Sequence, residues 1–277
     1  MMVGNRMKVS DLKIISKELR LNVLEMLGEA GSGHTAGSLG MADVFSVLYF
    51  DRLKLNPKNP NWSGRDYFIL SNGHICPILY ASLAKKGFFK RDELFRLRKI
   101  NSLLQGHPHN TIPGVENSSG PLAQGISFGV GVALTLKLDA KDNSVFVTCG
   151  DGELDEGECW EAFMLASKNK LSNFTLIVDY NGIQLDGNVS DVMPLNDLGK
   201  KFDSFGFKVF TIDGNDISEI KSAIAKADRI KSKPKVILAK TIPGKGVSFI
   251  EGDYRWHGKV LQGDDLNRAI EGLFDNE

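Results

Sequence analysis

The stretch of sequence that decides the fold reads Val145-Phe146-Val147-Thr148-Cys149-Gly150-Asp151-Gly152-Glu153. Its first half belongs to an apolar, β-branched run over Ser144–Cys149, which predicts a buried strand. The chain then enters a predicted helix over Glu156–Lys168 and a second apolar strand over Phe174–Asp179. Because a strand, a helix and a parallel strand form one supersecondary unit, this order of elements indicates an α/β protein.

The same alternation of strands and helices extends outward from this unit in both directions. It predicts a mainly parallel sheet with helices on both faces, in a single domain that covers residues 1–277. The predicted strands are Tyr67–Leu70, Ser144–Cys149, Phe174–Asp179, Phe207–Ile212 and Pro234–Lys240. The predicted helices run from an N-cap at Ser10 or Asp11 to Gly31, and over Ser38–Leu53, Pro77–Lys86, Arg91–Ile100, Gln124–Leu138, Glu156–Lys168, Asp216–Ile230 and Leu261–Phe274.

The composition is that of a globular protein, and it excludes several classes of function. The 277 residues carry 34 basic and 34 acidic side chains, so no excess of positive charge favours nucleic acid or an anionic membrane surface. Residues 1–10 lack the apolar segment of a signal peptide, and the longest uncharged stretch, 117–136, is too polar to span a bilayer. Cys76, Cys149 and Cys159 lack the spacing of a metal site, which suits reduced thiols. We therefore expect a cytoplasmic protein.

Two loops that follow predicted strands carry the residue types of a metal and phosphate site. Gly150-Asp151-Gly152 allows a tight turn beside a helix N-terminus, and Asp151 offers a hard oxygen ligand. Asn181 follows the next strand, 30 positions after Asp151 (181 − 151), which is the length of one strand–helix–strand unit. Either loop alone is most simply interpreted as a turn, but the pair at this spacing predicts adjacent loops that hold magnesium and a phosphate.

Four of the five histidines adjoin a glycine, in Gly33-His34, Gly73-His74, Gly106-His107 and His257-Gly258. A single histidine is more often structural than catalytic. Four on glycine-bounded loops predict an active site, because imidazole can donate, accept and titrate near neutrality. His109 has no neighbouring glycine and is expected on the surface.

Taken together, these motifs resemble the N-terminal part of transketolase. They are Gly31-Ser32-Gly33-His34, Leu39-Gly40-Met41-Ala42-Asp43, Ser71-Asn72-Gly73-His74, Gly106-His107-Pro108, Gly120-Pro121-Leu122-Ala123-Gln124-Gly125, Gly150-Asp151-Gly152 with Glu156-Gly157, and Asn181-Gly182-Ile183 with Asp186-Gly187. They occur in the family's order and extend from His34 to His257. The resemblance implies a thiamine diphosphate-binding fold. Because a full transketolase is much longer, it also implies the stand-alone N-terminal subunit of a split enzyme.

The resemblance implies a cofactor, thiamine diphosphate, held through Mg²⁺ or Ca²⁺. The implied metal ligands are Asp151, Asn181 and the Ile183 carbonyl; the implied diphosphate contacts are Gly152, His74 and His257; and Gly120 and Leu122 would line the cofactor through their backbone. The implied catalytic residues, which would face the sugar donor, are His34, His107 and His257. Glu156 and Glu161 would lie toward a subunit interface.

The implied activity is transfer of a two-carbon ketol (glycolaldehyde) unit from a ketose or ketose phosphate to an aldose or aldose phosphate. The family's pyrimidine-binding and C-terminal domains are not in this sequence, so a transketolase C-terminal subunit is the implied partner, in an α2β2 assembly. The surface that meets this partner is expected at Gly120–Gly125 and Ile126–Leu136. The isolated chain is expected to be inactive.

Two alternatives to a split transketolase stay open on the sequence. The chain could be a subunit of another split thiamine diphosphate enzyme, such as one like deoxyxylulose phosphate synthase or one acting on 2-oxo acids, or a non-catalytic cofactor-binding subunit. Thr35-Ala36 and Ala123 depart from the family's pattern without removing a ligand. Three acids, Glu153, Asp155 and Glu158, are expected on the solvated first turn of a helix, and Glu156 fits that interpretation as well as an interface.

Overall fold

A computed structural model, which describes residues 7–275, contains a five-stranded sheet in which all neighbouring strands are parallel. The strands are β1 (Tyr67–Leu70), β2 (Val145–Gly150), β3 (Phe174–Asp179), β4 (Lys208–Asp213) and β5 (Lys235–Lys240), in the spatial order β1-β2-β3-β5-β4. The predicted α/β class is confirmed, and every predicted strand is found within one residue of its expected ends. The prediction about a signal peptide concerns mainly residues 1–6, which lie outside the described residues.

Helices cover both faces of the sheet. They are α1 (Val9–Ala30), α2 (Ala36–Gly40), α3 (Ala42–Val47), α4 (Cys76–Lys86), α5 (Gln124–Leu138), α6 (Gly157–Lys168), α7 (Val189–Val192), α8 (Leu198–Ser204), α9 (Ile217–Asp228) and α10 (Gly263–Asp275). Short 3₁₀ helices lie at Gly73–Ile75, Arg91–Arg96, Gly152–Asp155 and Tyr254–Trp256. None of the helices in residues 7–275 has the length and apolar character needed to cross a membrane.

The strands place alternate side chains in two separate cores, as the period of two in a strand requires. On β2, Phe146 packs into a core with residues of α1, α3, α4 and α9. Its neighbours Val145 and Val147 point the other way and pack with residues of α5, α6 and α8. The strands β1, β2, β3 and β5 are mostly buried and apolar, whereas the edge strand β4 consists of exposed and half-buried residues.

The predicted helix Arg91–Ile100 is wrong beyond its first turns, because only a 3₁₀ helix over Arg91–Arg96 forms. Arg98 adopts a left-handed backbone conformation with φ of 61°. Its amide donates to the Leu104 carbonyl (2.9 Å) instead of to a carbonyl one turn earlier. A left-handed residue reverses the direction of the chain, so the helical pattern of side chains cannot continue through it.

Two other helix predictions need correction. Helix α1 begins at Val9, and the predicted N-cap at Ser10 or Asp11 is wrong, since the Ser10 hydroxyl donates to the Asp11 carboxylate (3.2 Å). The predicted helix Ser38–Leu53 is divided into α2, α3 and a π-helix over Leu48–Arg52. At the division, a Cβ atom on Gly40 would lie 3.0 Å from the Ile242 carbonyl oxygen, so this close approach requires glycine.

Helix α5 is buried on one face only, so the prediction of a buried helix is wrong for the other face, where Leu138 is 77% exposed. Ile126, Val130 and Leu136 pack into the chain's own core, so the prediction that Ile126–Leu136 forms a docking surface is wrong for these side chains. Phe128, on the opposite face of the helix, is 45% exposed. The prediction of a close backbone approach fails at Gly131, where a Cβ atom would meet nothing within 4 Å.

Candidate active site

The two loops predicted to be adjacent do lie side by side, at the carboxyl ends of β2 and β3. Gly150 and Asp179, the last residues of these strands, are direct partners in the sheet. The Asp151 carboxylate joins the loops, because Oδ2 accepts from the Gly182 amide (2.6 Å) and Oδ1 accepts from the Gly152 amide (2.9 Å). The spacing of Asp151 and Asn181 therefore predicted a real juxtaposition.

Two buried carboxyl groups at these loops would be stabilised in their charged form by a cation. Asp151 is 1% exposed, and burial, together with the nearby Asp179 carboxylate, raises its pKa to about 7. Burial also raises the pKa of Asp179 to about 6. The Asn181 side chain is oriented beside them, since Nδ2 donates to Asp179 Oδ2 (2.9 Å) and Oδ1 accepts from the Ile183 amide (3.0 Å). A divalent cation would compensate the negative charge that burial disfavours.

The donor types fit a hard cation that is bound together with a phosphate. Within residues 7–275, no three His, Cys, Asp or Glu side chains are placed to hold a metal ion by themselves. The available set is the Asp151 carboxylate, the Asn181 amide oxygen and the Ile183 carbonyl. Mg²⁺ commonly takes few protein oxygens and completes its octahedron with phosphate and water.

Three of the glycine-flanked histidines form a compact cluster. The ring centroids of His34 and His74 are 5.1 Å apart, those of His34 and His257 are 5.6 Å apart, and those of His74 and His257 are 5.1 Å apart. Burial is the main cause that lowers the pKa of His34 to about 4 and of His74 to about 3. It also lowers the pKa of His107 and His257. At neutral pH these imidazoles are therefore uncharged and able both to donate and to accept a proton.

The histidine cluster and the two loops that carry Asp151 and Asn181 line one cavity of about 380 Å³. Its walls are His34, His74, His107, Leu122, Gly150, Asp151, Gly152, Glu153, Asn181, Ile183, Gln184, Leu185 and His257. A cavity of about 440 Å³ lies at the opposite, amino edge of the sheet, where it is lined by residues such as Lys231 and Lys235 and by none of the histidines. Because four histidines and the buried acids Asp151 and Glu153 converge in the first cavity, we take it as the candidate active site.

Comparison with known protein families bears on the identity of this cavity. The family model described as the thiamine diphosphate binding domain of transketolase matches residues 11–274. The chain belongs to this family. It is 40% identical over 265 residues to one subunit of a 6-deoxy-6-sulfo-D-fructose transketolase from Clostridium sp. strain MSTE9, covering 95% of this chain and 96% of that subunit. It is 35% identical over 264 residues to one subunit of an apulose-4-phosphate transketolase from Phocaeicola vulgatus, covering 95% of this chain and 94% of that subunit.

Full-length transketolases match over less than half of their own length. Human transketolase is 34% identical over 275 residues, which are 98% of this chain and 43% of that protein. The crystal structure of a transketolase from Campylobacter jejuni superposes with a TM-score of 0.90 at 37% identity, covering 96% of this chain and 43% of that chain. The transketolase fold is thus present here, in a chain whose extent matches that of separate transketolase subunits.

Of the residues predicted for the cofactor in this transketolase domain, all but Gly120 line the cavity. A Cβ atom on Gly120 would approach the His107 ring at 3.6 Å. Glu156 caps α6 and Glu161 follows one turn later; both are exposed and neither reaches the cavity. His109 is exposed outside the cavity, as predicted, with its Nδ1 atom 3.0 Å from Thr111 Oγ1.

Glu153 is a residue that the sequence reasoning missed. The expectation of a solvated position is wrong, because Glu153 is 3% exposed and lines the cavity. Its carboxylate accepts from the Ser71 hydroxyl, from the Ala123 amide (2.8 Å) and from the Gly150 amide (3.2 Å). Burial raises its pKa to about 7. The 3₁₀ turn Gly152–Asp155, which precedes α6, rotates Glu153 inward, and no periodic pattern in the sequence indicates such a turn.

Gln184 and Leu185 also line the cavity without having been predicted as site residues. Gln184 lies over Gly152, where a Cβ atom would come within 2.8 Å of its side chain, and its Nε2 donates to Asp155 (2.9 Å). The available signal was their position in the loop that follows β3, only three and four residues after Asn181. Glutamine and leucine are not typical catalytic or metal-binding residues, so their identity alone did not indicate a role in the site.

Proposed function

We propose that this chain is the thiamine diphosphate-binding subunit of a split transketolase. With its partner it transfers a two-carbon ketol unit from a ketose or ketose phosphate to an aldose or aldose phosphate. The observation that carries this proposal is the convergence of four neutral histidines with the Asp151 and Asn181 loops in one cavity. Relatives of the same length that are named transketolase subunits support it.

The residues present fit thiamine diphosphate with Mg²⁺ or Ca²⁺. Asp151, Asn181 and the Ile183 carbonyl would hold the cation. The diphosphate contacts would come from Gly152, His74 and His257, and Gly120 and Leu122 would line the cofactor through their backbone. Two buried atoms, His34 Nδ1 and His257 Nδ1, lack a hydrogen-bond partner among the described residues, which supports a polar occupant of the cavity. When bound, thiamine diphosphate supplies a nucleophilic carbon and an electron sink for cleavage of a carbon–carbon bond.

The histidines would handle the protons of the sugar. His34, His107 and His257 line the cavity as uncharged imidazoles. An uncharged imidazole can accept a proton from a donor hydroxyl and return it to an oxygen, without leaving a buried positive charge between steps. His34 and His257 are half-buried, which strengthens the hydrogen bonds that they would make to the substrate, whereas His107 is exposed.

The remaining features of the proposal concern assembly and location. The chain would form one domain of the transketolase N-terminal type, and a second polypeptide would contribute the pyrimidine-binding and C-terminal domains in an α2β2 complex. Glu156 and Glu161 would lie at the interface of this cytoplasmic complex. Both glutamates are exposed, as is Phe128 on α5, so each is accessible to a partner. Sugars or sugar phosphates, rather than nucleic acids or membranes, would be its ligands.

The test is an assay of ketol transfer with Mg²⁺ and thiamine diphosphate present throughout. This chain, a candidate partner polypeptide that carries the two missing domains, and the mixture of both are assayed at equal concentrations with a ketose phosphate donor and an aldose phosphate acceptor. We expect turnover only in the mixture. Full turnover by this chain alone would contradict the split-enzyme proposal, and a mixture that neither binds the cofactor nor transfers the ketol unit would contradict the function itself.

A further inference from the structure

Glu153 occupies the point where three loops of the candidate site meet. Its Oε1 atom accepts from the Ser71 hydroxyl, which follows β1, and from the Ala123 amide (2.8 Å), which precedes α5. Its Oε2 atom accepts from the Gly150 amide (3.2 Å) at the end of β2. One buried carboxylate thus joins segments that are 30 and 82 residues away from it in the sequence.

Each of these loops also carries a residue proposed to contact the cofactor. His74 follows Ser71 by three positions, Leu122 immediately precedes Ala123, and Asp151 immediately follows Gly150. All three of these residues line the cavity. A displacement of these loops relative to one another would therefore change the distances between His74, Leu122 and Asp151 across the cavity.

The loop before α5 depends on an acceptor from outside its own helix. Ala123 has a left-handed backbone with φ of 70°, which an alanine rarely adopts, and it is 1% exposed. At the N-terminus of a helix the amides have no partner within the helix, so the buried Ala123 amide requires the Glu153 carboxylate. The loop also fits closely against β1, since a Cβ atom on Gly125 would lie 2.6 Å from Ser71 Cα.

We propose that Glu153 is a positioning residue that sets the width of the cofactor site by fastening the Leu122 loop and the end of β1 to the loop of Asp151. This inference rests on the proposed thiamine diphosphate site. In this proposal the length of the Glu153 side chain matters more than its charge. Both hydrogen bonds to other loops are accepted by one oxygen atom, Oε1, which must lie within bonding distance of Ser71 and Ala123. It is not a ligand of the cation or of the substrate.

Two substitutions of Glu153 separate the effect of its side-chain length from the effect of its charge. Glu153→Gln removes the charge but keeps an Oε1 atom for Ser71 and Ala123, with an unfavourable contact only toward Gly150. Glu153→Asp keeps the charge but is one methylene shorter, so it cannot bridge to Ala123. The matched control is Glu158→Gln, which removes an exposed acid from the first turn of α6.

Two readouts are measured on the complex of this chain with its partner polypeptide. Hydrogen exchange of the amides in residues 119–124 reports the loop before α5, and calorimetry with Mg²⁺ reports the Kd of thiamine diphosphate. Glu153→Asp should accelerate exchange and weaken cofactor binding by about 10- to 100-fold, the range for a lost hydrogen bond to a charged group. Glu153→Gln should restore exchange and bring Kd to within about threefold of wild type, and the control should match wild type. The melting temperature of each variant shows that it is folded.

The proposal is overturned if Glu153→Asp binds the cofactor normally, or if Glu153→Gln is as defective as Glu153→Asp, since charge would then be the property that matters. A loss of affinity that simply follows the melting temperature across all variants would also overturn it. If the wild-type complex does not bind thiamine diphosphate, the proposed function fails and this inference fails with it. Normal wild-type binding with no difference among the variants contradicts only the inference about Glu153.

Discussion

The unfolding free energy of the cofactor-free chain should fall as the pH is raised from 6.5 to 8. Burial raises the pKa of Asp151 to about 7, of Glu153 to about 7 and of Asp179 to about 6. A carboxyl group whose pKa is raised by folding stabilises the protein fully below its unfolded pKa, near 4, and loses this contribution as the pH rises through its folded pKa. The loss for Asp151 and Glu153 is therefore spread between about pH 4 and pH 7, and its last part falls near neutrality.

The histidines act in the opposite direction within the window from pH 6.5 to 8. Burial lowers the pKa of His34 to about 4 and of His74 to about 3, so stability is lost as the pH falls below the unfolded value near 6.5. Within the window, each carboxyl with a folded pKa near 7 costs about 0.8 kcal/mol and the one near 6 costs about 0.2 kcal/mol, whereas His34 and His74 each return about 0.4 kcal/mol. The expected net decrease in stability is therefore at most about 1 kcal/mol, and it is reduced further by His107 and His257, whose pKa burial also lowers.

Urea denaturation of the cofactor-free chain at several pH values measures this decrease directly. Asp151→Asn removes one of the two acids that titrate near pH 7, so its free energy of unfolding should fall by about 0.8 kcal/mol less than that of the wild type between pH 6.5 and 8, a difference in which the histidines cancel. The control is Asp186→Asn, an exposed acid in the loop after β3, which should keep the wild-type slope. A wild-type free energy that rises across the window would refute the reasoning, as would a slope that Asp151→Asn leaves unchanged.

Three further outcomes are expected. Asp151→Ala should abolish metal-dependent retention of thiamine diphosphate while the chain stays folded, because it removes the carboxylate that we propose as a ligand of the cation. Calorimetry of the complex measures the cofactor affinity, and circular dichroism shows that the variant is folded. Unchanged affinity would contradict the assignment of Asp151 as a cation ligand. His107→Ala should lower kcat/KM for the donor by about 10- to 1,000-fold through lost hydrogen bonding or proton transfer, whereas His109→Ala should have little effect, and equal losses would remove the distinction between them. Gly125→Ala should lower Tm by several degrees, because its methyl group would lie 2.6 Å from Ser71 Cα, and a wild-type Tm would contradict this packing.

The sequence predicted those features that depend on local repetition and on the order of elements. The strand Phe174–Asp179 was predicted with its observed ends, because a run of buried apolar residues bounded by polar loops is a strong local signal. The juxtaposition of Asp151 and Asn181 followed from the length of one strand–helix–strand unit. These inferences required no knowledge of distant contacts.

The features that were missed depend on contacts between distant parts of the chain. The inward orientation of Glu153 results from partners at Ser71 and Ala123, and neither partner can be inferred from the residues around Glu153. The end of the predicted helix at Arg98 has a more local origin, since its amide bonds to the Leu104 carbonyl six residues later. In both cases a hydrogen bond outside the helix overrides a pattern that by itself favours a regular helix.

The contact between His34 and His257 has a consequence for the synthesis of the protein. The loops that carry Asp151 and Asn181 have been synthesised, up to Ile183, 74 residues before His257 completes the histidine cluster (257 − 183). At about 5–20 residues per second, this interval on the ribosome lasts about 4–15 seconds. A nascent chain that ends within this interval would carry the Asp151 and Asn181 loops together with His34, His74 and His107 but would lack His257, so the cavity gains its last imidazole only near the end of synthesis.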